Sequence, residues 1–222
     1  MPRSENVQAI ELIDESREFA VEELFFSTTD PDSRIQRSNG VFQRISGYSW
    51  EALKNQPHNV IRHPDMPRVI FQLFWKYLRS GQPIVAYVKN LAHDGRYYWV
   101  VALVVPIQDG YLSIRFKPTS PLFATVRELY SELKAIEASI ENDSKDKQAA
   151  MNASGQVLKT RLETLGFSSY DGFMREALKL EMQSREAALP DIAAQISGPL
   201  SRTLAGEAPE LVSLGFAART FD

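Results

Sequence analysis

The sequence predicts an α+β fold: a five-stranded antiparallel sheet with helices on one face, followed by an all-α region. Three observations predict it. Two Asp-Gly dipeptides, Asp94-Gly95 and Asp109-Gly110, separate three long apolar runs, and Asp-Gly is the strongest short-range hairpin signal. Upstream, Asp30-Pro31-Asp32-Ser33 reads as a turn between two shorter runs rich in aromatic and hydroxyl residues. Beyond Pro121 the apolar residues recur at three- and four-residue steps, which is helical spacing.

Each element follows in order. Residues 5–20 read as a helix, with Val7, Ile10, Ile13 or Asp14, and Arg17 on one stripe of which only the first half is apolar. Leu24–Thr29 and Arg34–Ser38 form a predicted hairpin. A broken helical pattern follows: Val41, Phe42 and Ile45, the Gly47-Tyr48 break, then a short helix from Trp50 with Ser49 placed to accept from its free amides. The loop Asn59-Val60-Ile61-Arg62-His63-Pro64-Asp65-Met66-Pro67 leads into a helix to about Arg79, with Gly81 as its stop. The three strands are Ile84–Leu91, Arg96–Pro106 and Tyr111–Lys117. Leu122, Val126, Leu129, Leu133, Ile136 and Ile140 then make a stripe of nearly three heptads, which serves either a dimer seam or an intramolecular core. A polar break at 141–148 precedes further helices, one carrying Leu158, Leu162 and Leu165 and one running from Ser168 or Ser169 to Leu189. Short helices are predicted beyond Pro190. The resulting division is an N-terminal helix (1–21), the α+β unit (22–118), a linker helix with the heptad stripe (119–145) and a C-terminal helical region (146–222).

Composition bounds the function. With 222 residues and 44% apolar content the chain can bury a real core in one or two domains. A net charge of −3 argues against a nucleic-acid footprint. The absence of cysteine excludes disulfides, thiolate metal sites and a cysteine nucleophile. The N-terminus is polar and no apolar window approaches the ~20 residues of a membrane span, so a soluble cytoplasmic protein is expected. No nucleophile elbow, phosphate-binding glycine loop or zinc spacing occurs, and no enzyme is expected. Asp14-Glu15 and Glu22-Glu23 read as solvated charge pairs.

The densest cluster of chemistry-bearing residues is the loop that places Arg62, His63 and Asp65 between two prolines. Arg62 offers a bidentate grip on phosphate, or pairs with Asp65 to hold the loop. Asn90, on a central strand, offers both a donor and an acceptor to a ligand edge, or is a satisfied interior amide. Trp75 and Trp99 either wall a cavity or belong to the core.

The order of elements and the residues at their junctions resemble the PAS domain of the aerotaxis-receptor type. The landmarks are Asn39, Ser46-Gly47-Tyr48, Pro57-His58-Asn59, Arg62-His63-Pro64-Asp65-Met66-Pro67, Trp75, Val88-Lys89-Asn90, Gly95, Tyr97-Tyr98-Trp99-Val100 and Ser113-Ile114-Arg115, across roughly residues 22–118. The resemblance implies a signal-transduction sensor that holds FAD non-covalently between sheet and helices. It implies Asn39, Arg62, His63, Asp65, Trp75, Asn90 and Trp99 as the cofactor-binding positions. Ile84 stands where the family often has a Trp, and the receptor's membrane anchor and methyl-accepting region are expected to be absent. A PAS domain can instead hold b-type haem through one imidazole, here His58 or His63, with His93 set aside as an exposed turn residue. It can also be a cofactor-free interaction module. Signal output is expected through a homodimer built on the N-terminal helix and residues 122–140, and through a signalling partner protein.

Overall fold

The predicted N-terminal hairpin and the three later strands join into one sheet. The computed structural model describes residues 10–189. Strands β1 (Phe25–Thr29), β2 (Ile35–Ser38), β3 (Ile84–Leu91), β4 (Tyr97–Ile107) and β5 (Gly110–Phe116) form an antiparallel sheet in the order β2-β1-β5-β4-β3. Helices α1 (Gly40–Ser46), α2 (Trp50–Leu53) and α3 (Arg68–Arg79), with a 3-10 turn at His58–Ile61, fill the stretch between β2 and β3. Three longer helices follow: α4 (Leu122–Ser144), α5 (Lys147–Thr164) and α6 (Tyr170–Ala188).

Register sets what each strand shows to each face. Asn90 pairs with Tyr98, Lys89 with Trp99 and Tyr87 with Val101. Because side chains alternate along a strand, Val88, Asn90, Ala102 and Val104 share the face toward α1–α3. Tyr87, Trp99 and Leu103 share the opposite one. Toward α1–α3, Phe25, Phe42 and Tyr98 pack into an aromatic core, with the Phe25 and Tyr98 rings stacked 5.9 Å apart.

The opposite face is covered by the C-terminal helices. Phe123 of α4 lies 5.9 Å from Tyr87 and 5.4 Å from Trp99, and Tyr130 lies 6.1 Å from Trp99. Val126, Leu129 and Leu133 of the heptad stripe are buried within this chain, the intramolecular of its two readings. A homodimer seam built on those same side chains therefore has no free face. The α5 helix packs along α3.

One element differs from its prediction. Residues 10–20 are extended, not helical. Ile13 N–H donates to the Gly95 carbonyl at 2.8 Å, Tyr97 N–H to Glu15 at 3.0 Å, and Arg17 N–H to Tyr97 at 2.6 Å. This pairing with the start of β4 overrides a stripe whose Ile13 is exposed anyway. Gly95, at φ +89°, is required here, because a Cβ would sit 2.1 Å from the Glu11 carbonyl oxygen. The predicted helices beyond Pro190, and residues 5–9 of the predicted lead helix, lie outside the described residues.

Candidate functional site: a cavity between the sheet and α3

The α3 helix begins after Pro67, whose missing N–H needs no partner at a helix start. Its Phe71, Phe74, Trp75 and Leu78 recur at i, i+3, i+4 and i+7 and form one stripe. That stripe faces Val88, Asn90, Ala102, Val104, Tyr111 and Ser113 of the sheet across a cavity of about 330 Å³. Arg62, His58 and Arg115, with Thr29, Asp32, Ser33, Pro57 and Asn59, complete the walls. The volume lies at the lower end of the ordinary range for small-molecule sites, about 300 to 1,000 Å³. The combination of apolar walls with a few convergent polar groups is typical of such sites.

Those polar groups are buried and incompletely bonded. Asn90 is 3% exposed, and its Nδ2 has no hydrogen-bond partner. The Ser113 hydroxyl is in the same condition. A buried donor left without a partner costs about 1 to 3 kcal/mol, and two of the six such atoms among the described residues lie on this cavity wall. Arg115 is 5% exposed and faces no carboxylate. It donates to Ser27 Oγ at 3.0 Å and to His58 Nε2 at 2.7 Å, and it lies over the Phe42 ring. Burial lowers its pKa to about 10, and the nearby Tyr98 counters this only in part, so the guanidinium stays charged at neutral pH. Burial, and then the charge of Arg115, hold His58 well below the ordinary histidine range. Neutral His58 therefore accepts from Arg115 through Nε2.

The seven sequence-predicted positions divide. Arg62, Trp75 and Asn90 line the cavity together. Arg62 is stitched to Asn90 by a backbone bridge, donates to the Met66 carbonyl at 3.3 Å and lies 4.1 Å over the Phe71 ring. It does not pair with Asp65. The other four point elsewhere. Asn39 is a structural junction: its Oδ1 accepts from Phe42 and Phe26 N–H, and its Nδ2 donates to the Leu24 carbonyl. His63 is buried at the β3 edge, edge-on to Tyr97, where its Nδ1 accepts from Asp65 N–H at 3.2 Å. Asp65 is exposed and bonds Lys89 Nζ at 2.6 Å. Trp99 is one residue out of phase with Asn90's partner Tyr98, so it faces the opposite side of the sheet and packs on α4. Of the two haem candidates, His63 lies outside the cavity and His58 has its Nε2 engaged by Arg115. His93 is exposed in its turn.

Sequence reasoning missed Arg115, Ser113, Tyr111, Phe71 and Phe74. Phe71, Phe74 and Leu78 were legible as a second apolar stripe on α3. The stripe containing Val69 and Leu73 is the one that meets α5. Arg115 gave no signal, since an arginine on an antiparallel strand ordinarily points to solvent.

Residues 35–113 match the family model described as PAS fold, and the chain carries a PAS domain. Over 114 residues, 49% of this chain, it is 43% identical to the aerotaxis receptor of Escherichia coli (strain K12). It is 29% identical over 122 residues to the nitrogen fixation regulatory protein of Klebsiella pneumoniae. The chain spans only 22% and 24% of the lengths of those two relatives. Among solved structures, the PAS domain of a Colwellia psychrerythraea protein is similar at 22% identity, covering 42% of this chain and 85% of that one with a TM-score of 0.37. The light-state LOV structure of the blue-light photoreceptor Aureochrome1 is similar at 22% identity, covering 46% and 86% with a TM-score of 0.40. Among the described residues, no helix is long and apolar enough to cross a membrane.

Proposed function

We propose that the chain is a cytoplasmic, non-catalytic PAS sensor whose cavity holds the ring of FAD and whose C-terminal helices relay the cofactor's redox state to a partner protein. The observation that carries this reading is the buried Asn90 amide, lining the cavity with Nδ2 unbonded. A side-chain amide matches the adjacent donor and acceptor of a flavin's pyrimidine edge. Trp75, Phe71 and Phe74 supply the apolar and aromatic wall. Arg115 supplies a fixed positive charge in a low-dielectric site, where an electron-rich ligand is favoured. The identity with the aerotaxis receptor supports the sensing role, and the engagement of His58 by Arg115 weighs against the haem alternative. A bound flavin supplies reversible redox chemistry, and the hydrogen bonds at its edge change with its electron count.

The relay is built on β3. Asn90 faces the cavity, and Tyr87, three residues earlier on the same strand, faces α6. There Tyr87 Oη donates to Glu181 at 2.8 Å. Glu181 also accepts from Thr119 N–H at 2.7 Å, Ser120 N–H at 3.0 Å and Ser120 Oγ at 2.7 Å. One carboxylate thus joins the strand under the cavity, the segment from β5 into α4, and α6. A change in the bonds of Asn90 reaches the helices only if it favours one arrangement of this junction over another.

The test is a visible absorbance spectrum of the purified full chain, alone and after incubation with FAD. The twin bands of oxidised flavin are expected, and Asn90→Leu should abolish them while the protein remains folded. A Soret band, or a featureless spectrum after incubation, would overturn the reading.

A further inference from the structure

A second depression borders the cavity. This groove, about 500 Å³, runs between α3 and the first turns of α5, and shares Arg62, Phe71 and Trp75 with the cavity wall. Its charged lining is entirely cationic: Arg62, Arg68, Lys76, Arg79 and Lys147, with no carboxylate. Arg68, Gln72, Lys76 and Arg79 fall at steps of 4, 4 and 3, so α3 presents them as a single stripe. Lys147 and Met151 come from α5, beyond the segment that matches the PAS family model.

Such a cluster attracts an anion. Arg68 is paired with Glu141 of α4. Among the described residues the other four cations have no ion-pair partner, although the chain as a whole is acidic. The Arg79 guanidinium instead lies 5.7 Å from the Trp75 ring centroid, and that indole also borders the cavity. Burial lowers the pKa of Arg62, and the neighbouring charge of Arg68 lowers it further. Four cations without an ion-pair partner beside an apolar cavity suit a ligand with an aromatic ring at one end and clustered negative charge at the other.

We propose that this groove seats the diphosphate of a dinucleotide whose ring occupies the cavity, with Arg62 and Arg79 contacting phosphate oxygens and Lys147 bringing α5 onto the ligand. The proposal rests on the flavin reading and deepens it. The cavity takes the ring, and the groove selects the dinucleotide over the mononucleotide and the free ring. Guanidinium groups bind phosphate through two parallel N–H donors, and Lys147 adds a point charge. The C-terminal helices then touch the ligand directly, so α5 senses occupancy as well as the state of the sheet.

The experiment titrates the full chain, stripped of cofactor, with riboflavin, FMN and FAD, following quenching of flavin fluorescence. It is repeated with the double variant Arg79→Gln/Lys147→Gln. FAD should bind at least about tenfold more tightly than riboflavin, since charge-assisted bonds of about 1.5 to 3 kcal/mol each correspond to tenfold or more. The double variant should remove most of that advantage, flatten the salt dependence of FAD binding and leave riboflavin affinity unchanged. Equal affinity for riboflavin and FAD in the unmodified chain would overturn the groove assignment while leaving the ring site intact. A double variant that weakens riboflavin and FAD equally would overturn it too. Failure of all three flavins to bind would overturn the flavin reading itself, and the groove assignment with it.

Discussion

Two buried polar side chains on opposite sides of β3, Glu181 and Asn90, are held in opposite ways. Toward α6, Glu181 is fully buried and saturated, with both carboxylate oxygens accepting and four donors engaged. Toward α3, Asn90 and Ser113 are as deeply buried, yet each keeps an atom with no partner. A protein tolerates buried polarity when its hydrogen bonds are made within the chain, and tolerates it unmade where something else completes them. Glu181 is therefore a finished joint and Asn90 borders an open socket on the other side of a single sheet, although Thr119 Oγ1, Tyr130 Oη and Arg185 Nη1 also lack a partner outside the socket. A second buried carboxylate repeats the joint: Glu137 of α4 accepts from Arg68 N–H at 2.6 Å, Val69 N–H at 2.9 Å and Ser154 Oγ at 3.0 Å. The start of α3 has no side-chain cap of its own, so this carboxylate supplies one and also matches the positive end of the helix dipole.

Breaking the finished joint should have the largest effect. Glu181→Ala leaves buried donors on Tyr87, Thr119 and Ser120 unmatched, and should cost about 3 to 5 kcal/mol in urea unfolding. Glu181→Gln should cost clearly less, because one acceptor remains. Glu137→Ala removes a cap and should cost about 1 to 2 kcal/mol by the same measurement. It should also weaken flavin binding, because α3 carries the cavity stripe. Asn90→Leu should behave in the opposite sense. Stability should change by less than about 1 kcal/mol, since replacing an unpartnered amide with an apolar group of similar size removes a desolvation penalty. Flavin binding should nevertheless be lost, as the absorbance spectrum would report.

The smallest effect concerns Asp65, which lies outside both the joint and the socket. Burial works to raise its pKa, but the hydrogen bond from Lys89, with the charges of His63, Lys89 and Lys134, holds it below the ordinary value. A carboxyl depressed in the folded state adds stability above its unfolded pKa, and that stability is lost as pH falls through the folded value. Asp65→Asn should therefore cost less than about 1 kcal/mol at neutral pH, given solvent screening at this exposed side chain, and nothing in strong acid. Flavin affinity should not change. A loss of flavin affinity would return Asp65 to the site.

What could be read from the chain follows from how local each signal is. The sheet was legible because Asp94-Gly95 and Asp109-Gly110 mark turns within a few residues, and helix α3 because Pro67 and Gly81 bracket it. The open socket was legible in part: Asn90, Arg62 and Trp75 stood out by residue type. Trp99 was misplaced by one step of strand parity. The Asp-Gly turn itself carries the information that corrects it, since Leu91 opposite Tyr97 puts Tyr98, not Trp99, beside Asn90. His63 and Asp65 sit in a loop, where no period tells inside from outside. The extended course of residues 10–20 depends on pairing with β4, some eighty residues away. Glu137 and Glu181 could not be found by pattern. Each reads as an ordinary polar position on an amphipathic helix, and the donors that explain its burial lie between 17 and 94 residues away.

The most direct test is amide hydrogen exchange at Thr119 and Ser120 in the flavin-loaded full chain, oxidised and then reduced. Their N–H groups are held by Glu181, so their protection reports the joint while the chemistry occurs in the socket. The account requires protection that changes with reduction, a change that disappears when Tyr87→Phe cuts the strand from the carboxylate, and unchanged flavin absorbance in that variant. Identical protection in the two redox states would contradict it.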